Sequence, residues 1–279
     1  MGWETTPDIE RFAERAGAYL RSRPVEHTVP LTVIEALRAH GPGDGAHLGW
    51  WTEPGGAVTG AFLWTPPHPP LLTAVPPGAA TALAGLLAEA GHAPAGVNAP
   101  EEVADEFAGA WSVRTGATVS PNRRPMRLHR LDALRPREPG PAGRAAVATA
   151  AARPLLIAWY EAFAHEVDMP AAGSAAQVDD RLTHGGLTLW ILDTEPVSLA
   201  GITRPVAGVA RVAPVYTPPE HRGRGYGAAV TTAVSRQALE EGVAEVVLYT
   251  DLDNPTANAL YARLGYVGVE DRVMLRFEG

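Results

Sequence analysis

The chain has 279 residues, a formal net charge of -8, 46% hydrophobic residues and no cysteine. That length and apolar fraction suffice to bury a sizeable core and exclude global disorder, while the acidic balance argues against nucleic acid, whose affinity comes mostly from a basic face. Without cysteine there is no disulfide framework, thiolate metal site or cysteine nucleophile.

In chain order, Thr6 with Pro7 predicts a helix start, and Ile9, Phe12, Ala13, Ala16, Tyr19 and Leu20 fall on one helical face. Val33 to Ala39 reads as a second amphipathic stretch. His47 to Trp51 and Ala57 to Leu63 read as two strands around a Pro-Gly-Gly turn. Helices are expected over Ala79 to Ala90 and Pro100 to Trp111, and a strand over Arg127 to Leu131. The Pro- and Gly-rich run Leu134 to Gly143 lacks apolar periodicity and reads as a linker. Beyond it come a strand at Ala145 to Thr149, a helix opened by Pro154, strands at Leu187 to Asp193, Val197 to Ile202 and Val209 to Tyr216, and a glycine-rich loop with a helix behind it. A strand at Glu245 to Thr250, a helix at Pro255 to Leu264 and a strand at Arg272 to Phe277 close the chain. No apolar run reaches the length of a membrane span, and Met1 to Pro24 holds acidic residues and no secretory apolar core, so a cytoplasmic protein is expected.

The two halves look alike. Thr65-Pro66-Pro67-His68 and Thr217-Pro218-Pro219-Glu220-His221 each follow a strand pair, Asn98 and Asn254 each precede a helix, and Met126 to His129 echoes Met274 to Phe277. The offset is about 150 residues throughout, which predicts a duplicated α/β domain: residues 1–132, a linker at 133–139, and residues 140–279.

The chemistry concentrates between Val209 and Tyr266. Gly223, Gly225 and Gly227 alternate after a strand and open a helix. Glycine tolerates positive φ and close backbone approach, and successive amides at a helix N-terminus make an anion cradle suited to a pyrophosphate. Arg222 and Arg224 flank it with guanidinium groups. A lysine-dependent phosphate loop is excluded, because every basic Lys/Arg position is Arg. Gly223-x-Gly225-x-x-Ala228 also fits a dinucleotide fingerprint, but Thr217 to Arg222 separate the strand from the first glycine, where that turn is tight. Too little chain follows for the rest of a doubly wound sheet.

Arg222-x-x-Gly225-x-Gly227, followed by Asn254, Ala257, Tyr261 and Gly265-Tyr266, resembles the two signatures of the GNAT superfamily of N-acetyltransferases, in the right order. The resemblance covers Arg144 to Gly279. In the first half the corresponding loop, Pro69 to Thr73, has neither glycine nor arginine, so that half resembles a degenerate copy. The implied fold is a tandem of GNAT-like domains, each a central mixed, mostly antiparallel sheet flanked by helices. The layout is similar to that of another two-domain member, mycothiol synthase, without carrying over its substrate.

The implied activity is transfer of an acetyl group from acetyl-CoA to a primary amine of a small molecule or peptide, with no metal. By the resemblance, the backbone of Val215, Tyr216 and Thr217 pairs the pantetheine arm, and Arg222, Gly223, Arg224, Gly225, Tyr226, Gly227 and Ala228 surround the phosphates. Asn254 and Asn258 contact the pantetheine, and Tyr261 is the general acid that protonates the leaving thiolate. The backbone N–H near Val215 is the expected oxyanion donor. Asp251, Glu161, His165 and Glu166 are open candidates for the general base, as is a water chain. The contrasting expectation is a non-catalytic acyl-CoA-binding or scaffold protein that keeps the fold.

Overall fold

The computed structural model describes residues 1–41, 45–171 and 173–278. The chain forms two compact units: Met1–Leu128 with Asp251–Asp253 and Val269–Gly279, and His129–Thr250 with Asn254–Gly268. Residues 269–278, expected with the second domain, thus fall with the first unit.

In chain order the first unit contains β1 (Gly2–Thr6), α1 (Ile9–Ser22), α2 (Thr28–His40), β2 (His47–Thr52), β3 (Val58–Trp64), β4 (Leu71–Leu72), α3 (Ala79–Glu89), β5 (Gly96–Pro100), α4 (Glu101–Thr115) and β6 (Thr118–Val119). β7 (Arg124–Leu131) then leads into β8 (Arg144–Val147), α5 (Arg153–Glu166), α6 (Ser174–Leu182), β9 (Leu187–Leu192), β10 (Glu195–Ile202), β11 (Val209–Tyr216), α7 (Tyr226–Glu240), β12 (Glu245–Asp251), α8 (Pro255–Leu264) and β13 (Tyr266–Glu278).

The duplication is visible as repeated topology. β1 pairs antiparallel with β2, β2 with β3 and β3 with β4; α3 then crosses over to β5, which runs parallel to β4. β8, β9, β10 and β11 repeat the antiparallel series, and α7 crosses over to β12, parallel to β11. Each series has two helices between its first and second strands and one helix after its last. In the first unit β13 supplies the next strand, pairing antiparallel with β5 from Arg272↔Pro100 to Arg276↔Gly96.

Several expected elements shift at their ends. The cap of α1 is Asp8, which accepts from Glu10 N (2.8 Å) and Arg11 N (3.3 Å), while Thr6 Oγ1 accepts from Asp8 N and ends β1. A carboxylate at the positive end of the helix outcompetes the threonine. The second amphipathic stretch begins earlier, at Thr28, with Pro30 in its first turn where no intrahelical donor is lost.

Each unit has its own core. Phe62, Leu72, Leu83, Phe107, Trp111 and Leu275 pack in the first. In the second, Val212, Val230, Val234, Val246 and Leu248 form the core beneath α7, and Leu156, Tyr160, Val178, Leu187 and Leu199 form the one beneath α5 and α6. Among the described residues no helix is long and apolar enough to cross a membrane.

Candidate active site

β11 and β12 pair only from Val209↔Glu245 to Arg211↔Val247, although both strands run on beyond that point. From Val212 onward the β12-facing edge of β11 has no strand partner among the described residues. Such an edge presents backbone donors and acceptors to any extended, amide-bearing chain. Pro214 removes one donor from it. The far end is pinned from the other side: the fully buried Ser198 hydroxyl donates to Tyr216 O (3.0 Å) and meets Thr217 Oγ1 at 2.8 Å.

The open edge leads directly into the glycine loop. Gly223 has φ 75° and Gly225 φ 87°, and Gly225 caps α7. Ala229 N bonds back to Gly225 O (3.1 Å), so the amides of Tyr226, Gly227 and Ala228 lie in the first turn, ahead of any intrahelical acceptor. A Cβ built on Gly223 would meet nothing within 4 Å, whereas one on Gly227 would stand 3.5 Å from Thr217 Oγ1 and 3.9 Å from Leu260 Cδ1. The loop, the end of β11 and α8 therefore converge. Tyr226 is buried, its ring 6.4 Å from that of His221.

The two arginines differ. Arg222 Nε donates to Thr217 O (2.9 Å), Nη2 pairs with Glu166, and the guanidinium lies over the Tyr216 ring. It straps the end of α5 to the loop. Arg224 is exposed and has no ion pair among the described residues.

On α8, Asn254 Oδ1 accepts from Ala257 N (3.0 Å) and caps the helix, while Asn258 Oδ1 accepts from Thr250 Oγ1 (2.6 Å), itself 2.9 Å from His129 Nε2. Tyr261 is half-buried against the core beneath α7, edge-on to Tyr266 at 5.9 Å. Burial, reinforced by the neighbouring Tyr266, pushes the Tyr261 phenol well above its ordinary value, so it stays protonated at neutral pH.

Of the base candidates, Glu166 is paired with Arg222, and Asp251 pairs with Arg124 (3.3 Å) and accepts from Asp253 N. Glu161 and His165 lie exposed on α5. Sequence reasoning missed Ser198, whose role depends on a pairing register that a lone serine does not signal.

The first unit treats the equivalent position differently. β4 and β5 pair at Leu71↔Asn98, and the buried Arg272 side chain fills the space beside them. Its Nη2 donates to Leu72 O (2.6 Å) and Asn98 O (3.2 Å), its Nε to Asn98 Oδ1, and its Nη1 pairs with Glu270.

A parted parallel strand pair that opens onto a glycine-started helix is what marks out the second unit's α/β fold. The family model for the acetyltransferase (GNAT) family matches residues 151–266, so this unit is a GNAT domain. A mycothiol acetyltransferase of Streptomyces scabiei is 34% identical over 131 residues, 44% of this chain and 42% of that protein. One of Kocuria rhizophila is 45% identical over 58 residues, 21% of this chain and 19% of its own length. The matched stretches thus span less than half of these relatives. Among solved structures, a GCN5-related N-acetyltransferase from Sphaerobacter thermophilus superposes with a TM-score of 0.66 at 18% identity, covering 98% of this chain and 95% of that one. A tandem GNAT protein from the clavulanic acid biosynthesis pathway gives 0.55 at 18% identity, covering 99% and 98%. These likenesses extend the GNAT fold to the first unit.

Proposed function

We propose that the second unit is an acyl-CoA-dependent N-acetyltransferase acting on a primary amine of a small molecule or peptide. The observation that carries this reading is the parting of β11 from β12 directly ahead of the Gly223–Gly225 loop. An edge with unused backbone groups suits the amides of a pantetheine arm, and a cluster of unsatisfied amides at a helix N-terminus suits a pyrophosphate.

In this reading Val215, Tyr216 and Thr217 pair the arm, and the amides of Gly223, Arg224, Gly225, Tyr226, Gly227 and Ala228 hold the pyrophosphate. Arg224 is available for a further phosphate; Arg222 chiefly holds the loop to α5 through Glu166 and Thr217 O. Asn254 keeps its Nδ2 donors for the arm while its Oδ1 caps α8, and Asn258 adds a second amide beside it. Acetyl-CoA, when bound, supplies the acyl group as a thioester. A backbone N–H near Val215 offers a fixed donor to a carbonyl oxygen on which negative charge develops. Tyr261 holds a proton at Oη and delivers it to the departing sulfur. Because Glu166 and Asp251 are engaged in ion pairs, the proton of the acceptor amine leaves through water.

Calorimetry with acetyl-CoA, followed by thiol release over a panel of amines, tests this reading. Binding with turnover is expected. A folded chain that binds no acetyl-CoA refutes it, and binding without turnover on any amine favours the non-catalytic alternative.

A further inference from the structure

The second unit buries donors without acceptors. On the face of the sheet covered by α5 and α6, the Arg181 side chain is 8% exposed and its Nη1 donates to Tyr160 Oη at 2.7 Å. Its Nε is buried with no hydrogen-bond partner. Tyr160, itself buried, sits over Gly201, where a Cβ would come within 2.7 Å of its hydroxyl. Since Tyr160 Oη already accepts from Arg181, its own proton remains to be donated.

Arg211 lies on the same face. Val212, its neighbour on β11, packs into the core beneath α7, so strand alternation turns Arg211 to the α5 and α6 side. Its Nη1 is also buried without a partner. Burial pushes the Arg211 guanidinium down to about 10, with the neighbouring Tyr249 opposing the shift and the like charge of Arg181 adding to it, which leaves it charged at neutral pH. Among the described residues no carboxylate pairs with either arginine, although the chain carries 31 acidic residues and several of its surface arginines do find one.

Two guanidinium groups on one sheet face, close enough to feel each other's charge, with a phenol bonded to one of them, describe one half of an anion site. Their position says which molecule carries the anion. Arg211 is the last residue of β11 still paired to β12, so it stands where the strands part.

We propose that Arg181, Arg211 and Tyr160 recognise an oxyanion, a carboxylate or a phosphate, carried by the acceptor amine. This rests on the acyl-transfer reading of the same unit. Guanidinium nitrogens bind both anions bidentately, and a neutral acceptor would leave them buried and unmatched. The site therefore selects amino acids or phosphorylated amines over simple alkylamines.

The test compares matched acceptors: glycine, β-alanine and γ-aminobutyrate against their carboxamides, and O-phosphoethanolamine against ethanolamine, all with acetyl-CoA and thiol release. Succinyl-CoA with neutral amines forms a further arm. At least one anionic member should exceed its neutral partner in kcat/KM by about 10²-fold or more. Arg211→Met, which replaces a half-buried guanidinium lacking a carboxylate partner among the described residues with an apolar chain of similar length, should fold with equal or higher Tm and bind acetyl-CoA normally. It should also bring the anionic-to-neutral ratio close to one. Equal use of neutral partners, a ratio unchanged in Arg211→Met, or a preference that follows the succinyl donor instead would overturn the proposal. If no amine turns over, thermal melting with the same compounds decides: a Tm rise with the anionic members, lost in Arg211→Met, upholds the anion site while the acyl-transfer reading falls. No rise overturns the anion site as well.

Discussion

Replacing Tyr261 by Phe removes one oxygen and keeps the ring. The ring packs edge-on to Tyr266 at 5.9 Å, and the hydroxyl makes no hydrogen bond among the described residues. The stability cost is therefore small, under about 1 kcal/mol, or a Tm change of a few degrees. The catalytic cost is of another size: losing a general acid typically lowers the rate by about 10²–10⁴-fold, equivalent to roughly 3–5 kcal/mol of barrier. The loss should fall on kcat with little change in acetyl-CoA affinity, because the proton is needed only as the sulfur departs. Burial raises the phenol pKa, so the wild type should show no alkaline limb from Tyr261 between pH 6 and about 9. The assay is steady-state thiol release, with single-turnover measurements to establish that chemistry limits the rate, and thermal melting as control. A folded variant that keeps most of its turnover under those conditions removes Tyr261 from the catalytic machinery.

Gly223→Ala forces a side chain onto φ 75° at a cost of about 1 kcal/mol while its Cβ meets no protein atom, so the fold should persist and acetyl-CoA affinity fall at least tenfold; unchanged affinity by calorimetry contradicts the loop assignment. Calorimetry should also saturate at one acetyl-CoA per chain, since Arg272 fills the space beside β4 and β5, and two sites would show that this side chain does not block entry. Arg272→Ala strands buried carbonyls and a carboxylate, an expected loss of about 3 kcal/mol and a Tm drop of roughly 6–12 °C. His27 is held neutral by burial, with Nδ1 3.0 Å from Leu20 O, so its folded pKa lies below the unfolded one. The unfolded state then binds the extra proton, and the stabilising contribution is full above about pH 6.5 and declines as pH falls through the window beneath it. Melting between pH 7.5 and 5 should show a fall that becomes shallower in His27→Gln; an identical slope removes His27 as a cause.

Much of this was legible in the sequence because local chemistry and tertiary role coincide. The glycines at 223 and 225 were readable because their positive φ is a backbone property that residue type alone announces. The repeat was readable because the Pro-rich turns and the Asn-started helices recur in order. The short strands β4 and β6 were not, since two residues carry no period. Nor was the assignment of β13 to the first unit, because strand alternation fixes which face a residue shows and not which neighbour it pairs with. Arg211 and Arg181 also escaped notice. An arginine in a strand or helix reads as surface, and only the packing of α5 and α6 over that face buries Arg181 and leaves Arg211 half-buried with a partnerless Nη1.

The repeated topology explains how one half can diverge while the other keeps a site. The fourth and fifth strands of each series pair in parallel over a short stretch, so each unit has backbone groups beyond the pairing that must find partners. In the first unit a side chain of the same unit supplies them: Arg272 donates to two carbonyls and an amide oxygen, is buried in doing so, and has its charge balanced by Glu270. In the second unit the corresponding stretch of β11 stays open, and the glycines that follow keep side chains out of the loop beside it. The parted pair is thus a feature of the fold, closed internally in one copy and left open in the other. What separates them is a few residues: an arginine reaching in from β13, and the presence or absence of alternating glycines after the fourth strand.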